Sequence, residues 1–308
     1  MLFTPKQYAS KYLDMDVYVF SGPLTTPMPA AKSAGATLRP VVDIGSWVRI
    51  RVGSYRLGAA WAERGGDPKK LDDKKDHYYF SNLTGAVRGR QRIKTKIKRI
   101  DGVVESREYD YSEISYALVA PFYGKGYPED VQLALQMRDR FQKTKFTLQQ
   151  FAKASFIGLD CNGFVGGYIE RRNAQDKWLR KSASKTSARI ADLLGPPSRY
   201  FTSWDDFRPP GPSCLILGLC DAQGTVKDHT PDGGVGHIVI TEPNSLRKHS
   251  PTGPVDVEAV ESTGGLGLTS GPYRILTMHL DKSKRAFFHV DRGPHKGKEY
   301  FRITELIP

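Results

Sequence analysis

Gly158-Leu159-Asp160-Cys161-Asn162-Gly163-Phe164-Val165-Gly166-Gly167-Tyr168 places a thiol where a loop turns into a helix. Asp160 is a favoured N-cap type and puts Cys161 in the first helical turn, where free main-chain N–H groups and the positive end of the macrodipole stabilise a thiolate. Phe164, Val165, Tyr168 and Ile169 recur at helical intervals and predict the buried side of a helix running to about Arg172. Gly163 and the Gly166-Gly167 pair let another backbone or a substrate approach closely, and the two glycines inside the helix cost about 1 kcal/mol each relative to alanine, which argues for a packing or functional reason.

Working outward, Gly236-His237-Ile238-Val239-Ile240-Thr241 reads as a short strand with a histidine at its start. Further strands are predicted at roughly 213–220, 256–262, 273–280, 285–290 and 299–305, and helices over 129–142 and 147–156. A nucleophile-bearing helix followed by a run of antiparallel strands predicts an α+β domain. The division expected is residues 1–125, a β-rich basic domain, and residues 126–308, the domain that carries the cysteine and the histidine. A basic insertion over 173–212 separates the thiol helix from the strands. In the first part, residues 47–52 alternate as a half-buried strand does, and Asp101-Gly102 predicts a hairpin turn into Val103 to Tyr111.

One Cys and one His at these places point to a cysteine hydrolase or acyltransferase, in which the imidazole takes the thiol proton and later gives it to the leaving amine. Asp160-Cys161-Asn162-Gly163-Phe164-Val165 resembles the Asp-Cys-Ser-Gly-apolar-Val motif of the NlpC-like cell-wall cysteine peptidases, a papain-related family with amidase and acyltransferase relatives. Gly236-His237-Ile238-Val239-Ile240 is similar to that family's second motif, a histidine opening a strand. The resemblance covers about residues 145–308. Asn162 stands where the family has Ser, and no counterpart of its Tyr-x-Trp-Gly-Gly segment precedes the cysteine.

The resemblance implies a papain-like (NlpC-type) fold with the cysteine helix packed on an antiparallel sheet. It also implies cleavage of an amide bond in a peptidoglycan stem peptide or a related substrate, with Cys161 as nucleophile and His237 as base. A third polar residue on the next strand orients the imidazole. Glu261 is the best candidate, with Asp256, Glu258 and His279 on the same or neighbouring strands. Acyl transfer through the same Cys–His pair is the close alternative, and no cofactor or metal is required.

The composition sets the remaining expectations. Of 308 residues, 39% are hydrophobic, enough for a real core. No apolar run approaches a membrane span, and the N-terminus lacks the pattern of a signal peptide, so a cytoplasmic location or a non-classical export route is expected. Three cysteines are too few for a disulfide scaffold, and Cys214 and Cys220 sit in an apolar run where cysteine packs as a small hydrophobe. Neither the cysteines nor the seven histidines form a recognisable zinc set.

The net charge of +13 lies mostly in the front half. Arg88, Arg90, Arg92, Lys94, Lys96 and Lys98 occupy alternate positions and share one face of a predicted strand, with Ile93, Thr95 and Ile97 on the other. That basic face, with Tyr78, Tyr79 and Phe80 nearby, fits an anionic polymer. The alternative function from a different class is therefore a polyanion or nucleic-acid-binding protein with a catalytically silent papain-like domain. The other reading of the same face is a solvated strand whose charges discourage edge pairing.

Overall fold

The computed structural model describes residues 3–21, 45–54, 92–122, 124–141, 147–153, 157–172, 189–195, 198–208, 213–228, 236–264, 266–293 and 296–306. Its centre is β6, Cys214–Cys220, in which every position is buried. Sequences apolar on both faces belong in the middle of a structure, and β6 has neighbours on both edges. It pairs antiparallel with β12 (Lys298–Leu306) on one side and β7 (Ile238–Thr241) on the other. From β12 the order runs to β11 (Ala286–Asp291) and β10 (Gly267–Leu280), and from β7 to β9 (Val255–Thr263).

Strand β10 then closes the ring. Its first part pairs with β9 from Gly267↔Thr263 to Ile275↔Val255, and its second part with β11 from Arg274↔Asp291 to Leu280↔Ala286. A register shift between Ile275 and Thr277 marks the place where the strand changes partners. Bulges of this kind bend a strand and raise its twist, which is what closure of a sheet requires. Short strands β5 (Ser198–Tyr200) and β8 (Arg247–Lys248) attach to β12 and β9.

Alternation divides the barrel residues into an inner and an outer set. Leu215, Leu217, Leu219, Val239, Val257, Ala259, Tyr273, Ile275, Phe288, Val290, Phe301 and Ile303 form one apolar cluster, the barrel interior. The intervening Cys214, Ile216, Ile238, Ile240, Val260 and Leu306 belong to a second cluster, shared with the helices outside. Each large aliphatic or aromatic side chain so buried contributes roughly 1.5–3 kcal/mol.

The expected papain-like α+β domain, with its helix on an open sheet, is therefore corrected. The described protein is dominated by strands, and its main sheet is a closed six-strand barrel. The individual strands fall close to where their alternation predicts. What differs is the edge-to-edge pairing of β9 with β10, which turns the row of strands into a ring.

The helices lie outside this barrel. Helix α5, Cys161–Arg172, packs on β7 and β9 and is buried along almost its whole length. Against it lies α1 (Pro5–Leu13), started by a Thr4–Gln7 capping box. Tyr8 and Tyr12 of α1 are fully buried, and Tyr8 packs on Phe164 and Tyr168 of α5. The front of the chain and the thiol helix thus share one apolar cluster.

Between them come two small antiparallel sheets, β1 (Met15–Phe20) with β2 (Gly45–Ile50), and β3 (Arg92–Lys98) with β4 (Val104–Asp110). The β3–β4 turn is at Asp101-Gly102, with Gly102 at φ 89°, a value glycine adopts without penalty. Helices α2 (Tyr111–Phe122), α3 (Pro128–Phe141) and α4 (Leu148–Lys153) follow, and α6 (Ile190–Leu194) lies in the basic insertion. Helix α2 is not foreseen from sequence, because Tyr109 to Tyr111 continues the alternation of β4.

Candidate active site

The local structure at the thiol is built by Asp160. Its Oδ1 accepts from the Gly163 N–H at 2.5 Å, the N-cap bond, and its carbonyl accepts from Phe164 at 3.0 Å. The other carboxylate oxygen pairs with Lys125 Nζ at 2.6 Å, both groups being buried. The Asp160 N–H donates to the Gly124 carbonyl, the Leu159 N–H to the Ser54 carbonyl, and Ser262 Oγ on β9 to the Leu159 carbonyl at 2.6 Å. Three separate parts of the chain, at residues 54, 124–125 and 262, thereby hold the loop that enters α5.

Cys161 is the first residue of α5 and has no exposed surface. Its thiol donates to Asn162 Oδ1 at 3.3 Å, and the main-chain N–H of Ile238, the residue after His237, reaches its sulfur. Burial, followed by the charge of Asp160, pushes the Cys161 thiol up to about 12, against the pull of the Ile238 N–H and of Lys125. The helix terminus that predicts an activated thiolate is present, but loss of water around the sulfur outweighs it.

His237 stands just before β7, and its carbonyl accepts from the Leu219 N–H at 2.8 Å. The preceding Gly236 is forced by packing: a β-carbon there would lie 2.6 Å from the Lys227 carbonyl oxygen and 2.7 Å from Ile190. The imidazole Nε2 lies 2.5 Å from Glu261 Oε2. Since Val239 and Ala259 point into the barrel, alternation places His237 and Glu261 on the inner side, at one end of the barrel.

Glu261 is 1% exposed and receives four donors. Oε2 takes His237 Nε2 and Arg292 Nη2, the latter at 3.0 Å; Oε1 takes the Tyr273 hydroxyl at 2.7 Å and Lys296 Nζ. These match the acceptor capacity of a carboxylate. Burial alone raises the Glu261 carboxyl, but His237, Arg292 and Lys296 together hold it well below the usual carboxylate range. Burial pulls His237 below its ordinary value, opposed by Glu261 and assisted by Arg292. At neutral pH the imidazole is thus uncharged, with Nε2–H donating to an ionised Glu261, and Nδ1 is left as the basic nitrogen.

Of the sequence-predicted residues, His237 and Glu261 are in direct contact on the inner side of the barrel, whereas Cys161 meets the main chain at Ile238 from the outer side. The alternatives for the third position are engaged elsewhere: Asp256 with His249 and Arg274, Glu258 with Lys6, and His279 with Thr277 and the Phe287 ring. Lys125, Tyr273, Arg292 and Lys296 are not foreseen from sequence. The one signal for Arg292 is the continuation of the β11 alternation, Phe288, Val290, Arg292, which turns the guanidinium inward.

On the basic strand, Ile93, Thr95 and Ile97 are buried, Lys94 is exposed, Lys96 Nζ lies 5.1 Å from the centre of the Tyr18 ring, and Lys98 pairs with Asp16 at 2.7 Å. Arg88, Arg90, Tyr78, Tyr79 and Phe80 lie outside the described residues, as does much of the 173–212 insertion. Among the described residues, no group of three or more His, Cys, Asp or Glu side chains is placed to hold a metal ion, and no helix is long and apolar enough to cross a membrane. Cys214 and Cys220 are buried free thiols, pushed up to about 11 and about 12 by burial. Comparison of the chain with family models, with curated proteins and with solved structures finds no match.

Proposed function

We propose that this protein is a thiol hydrolase of amide bonds, with Cys161 as nucleophile, His237 as general base and then acid, and Glu261 as the residue that orients the imidazole. The observation that carries this reading is the 2.5 Å contact of His237 Nε2 with the buried, ionised Glu261 of β9, His237 being the residue before Ile238 of β7, whose N–H reaches the Cys161 sulfur. A buried acid–imidazole pair of this kind fixes the tautomer that accepts a proton at Nδ1.

Cys161 Sγ bonds to the carbonyl carbon as its proton passes to His237, and the tetrahedral oxyanion is met by main-chain N–H groups at the start of α5. The C–N bond then breaks with that proton delivered to the leaving amine. Water hydrolyses the thioester with His237 again as base; an amine in place of water gives acyl transfer. Cys161 has no exposed surface and lies with the outer cluster, while the His237 ring faces the inner side of the barrel, so turnover in this reading includes a rearrangement that admits the substrate and brings the imidazole to the thiol.

The order Cys161, His237, Glu261 is that of the NlpC-like peptidases, which makes a peptidoglycan stem peptide the first substrate to try. The test is to incubate the full chain with stem peptides and a panel of simple amides and thioesters, then look by intact-mass spectrometry for an acyl adduct that maps to Cys161. Cleavage that is lost in Cys161→Ala and His237→Ala is the expected result. Cleavage retained by folded Cys161→Ala overturns the reading.

A further inference from the structure

Arg292 is the best-anchored cation at this end of the barrel. Its Nε donates to the Tyr273 hydroxyl at 2.9 Å, Nη2 to Glu261 Oε2 at 3.0 Å, and Nη1 to Glu299. Its charged carbon lies 5.8 Å from the centres of both the Tyr273 and the Phe301 rings, and its side chain is 9% exposed. Every donor-bearing nitrogen of the guanidinium is therefore committed, in the planar fork that Arg offers and Lys does not. Tyr273 completes the bracket by donating to Glu261 Oε1 while accepting from Arg292.

We propose that Arg292 is a positioning residue of this site, a bracket that fixes the Glu261 carboxylate against His237 and offsets its charge there. The inference rests on the reading of His237 as the base. Arg292 shares Oε2 of the carboxylate with His237 and acts through it. Without the guanidinium, Glu261 keeps Tyr273, Lys296 and His237 as donors but has less positive charge beside it, so it attracts a proton onto the imidazole more strongly.

The ionisable groups around His237 come from several elements. They are Glu261 on β9, Tyr273 on β10, Arg292 and Lys296 in the turn after β11, Glu299 on β12, and Cys161 of α5 beyond the Ile238 N–H. Arg292 and Glu299 act on the ring with opposite signs: the first disfavours its charged form and the second favours it.

The test is a histidine-labelled NMR titration of His237 in the full chain, assigned with His237→Gln, beside the pH dependence of kcat/KM wherever a substrate is in hand. Arg292→Met moves His237 titration upward by roughly one pH unit, Glu299→Gln moves it downward, and Arg292→Lys lies between wild type and Met. The acid limb of kcat/KM moves with it, and kcat falls while KM holds. His237 titration unmoved in a folded Arg292→Met, or moved the same way by Glu299→Gln, overturns the proposal; if Arg292→Met does not fold, Arg292→Lys and the more exposed Glu299→Gln carry the test. Because the titration is read without turnover, absence of any hydrolysis would count against the proposed function and leave this result standing.

Discussion

Gly163 packs on Gly124 so closely that a β-carbon at residue 163 would sit 2.0 Å from the Gly124 carbonyl oxygen. That carbonyl also accepts from the Asp160 N–H, so it is fixed on both sides. The glycine after the cysteine is a condition for seating the helix start against the 124–126 segment. Gly163→Ala should lower stability by about 3 kcal/mol, the upper range of overpacking, read as a fall in the urea midpoint at unchanged slope. A change under about 0.5 kcal/mol would show that the two backbones separate freely.

The Lys125–Asp160 pair is buried on both sides, so removing one partner leaves a charge without compensation. Lys125→Met and Asp160→Asn should each cost about 3–5 kcal/mol, and the double variant should recover part of that loss. A double-mutant cycle by denaturation measures the coupling; additive losses would place the two charges in contact with water.

On the alkaline side the three thiols act together. Each folded value, about 12, 11 and 12, is raised above the ordinary 9.0, so above that value the unfolded chain releases protons that the folded protein retains. Their contribution is full below pH 9 and is lost as pH rises toward 12, by about 1.4 kcal/mol per pH unit for each thiol. Cys161→Ser should shallow that slope by one proton. In the native protein at pH 7, iodoacetamide should label Cys161 about a thousand-fold more slowly than an unstructured cysteine; comparable rates would contradict the burial.

On the acid side the signs run the other way. Both His237 and Glu261 have folded values depressed below their ordinary 6.5 and 4.5, so the stability they contribute is present above those values and lost as pH falls through the folded ones. Glu261→Gln removes the carboxylate part of this fall, leaves Arg292 and Lys296 facing a neutral amide, and should lower any Cys161-dependent turnover by about 10²–10⁴-fold. An unchanged acid limb of the stability curve in that variant would show that the four donors do not hold Glu261 ionised.

Much of this is legible in the residues themselves. The alternation of Val257, Ala259 and Glu261, or of Phe288 and Val290, gives each strand and its two faces, and Asp160 with the glycines gives the start of α5. The fold class is not legible, because closure depends on which strand lies beside β9, and apolar faces of similar composition fit an open or a closed sheet equally well. At the site, His237 and Glu261 are marked by polar side chains beside and within apolar strands. Tyr273 on β10 and the pair Arg292 and Lys296 in the turn after β11 converge on Glu261 from two other places in the chain, and no local spacing records that convergence. The suppressed thiolate is equally invisible, since the helix-terminus effect is local while burial is set by the whole fold.

The way β10 divides its length between β9 and β11 has a consequence for assembly. With the ring complete, the main sheet offers few unpaired main-chain N–H and C=O groups along its six strands, which closes the usual route by which an extended polypeptide joins a sheet as one more strand. A macromolecule that engages the barrel must do so through side chains on its wall or at its ends. Strand addition, among the described elements, is left to the paired ribbons β1–β2 and β3–β4 and to the short β5 and β8 flanks.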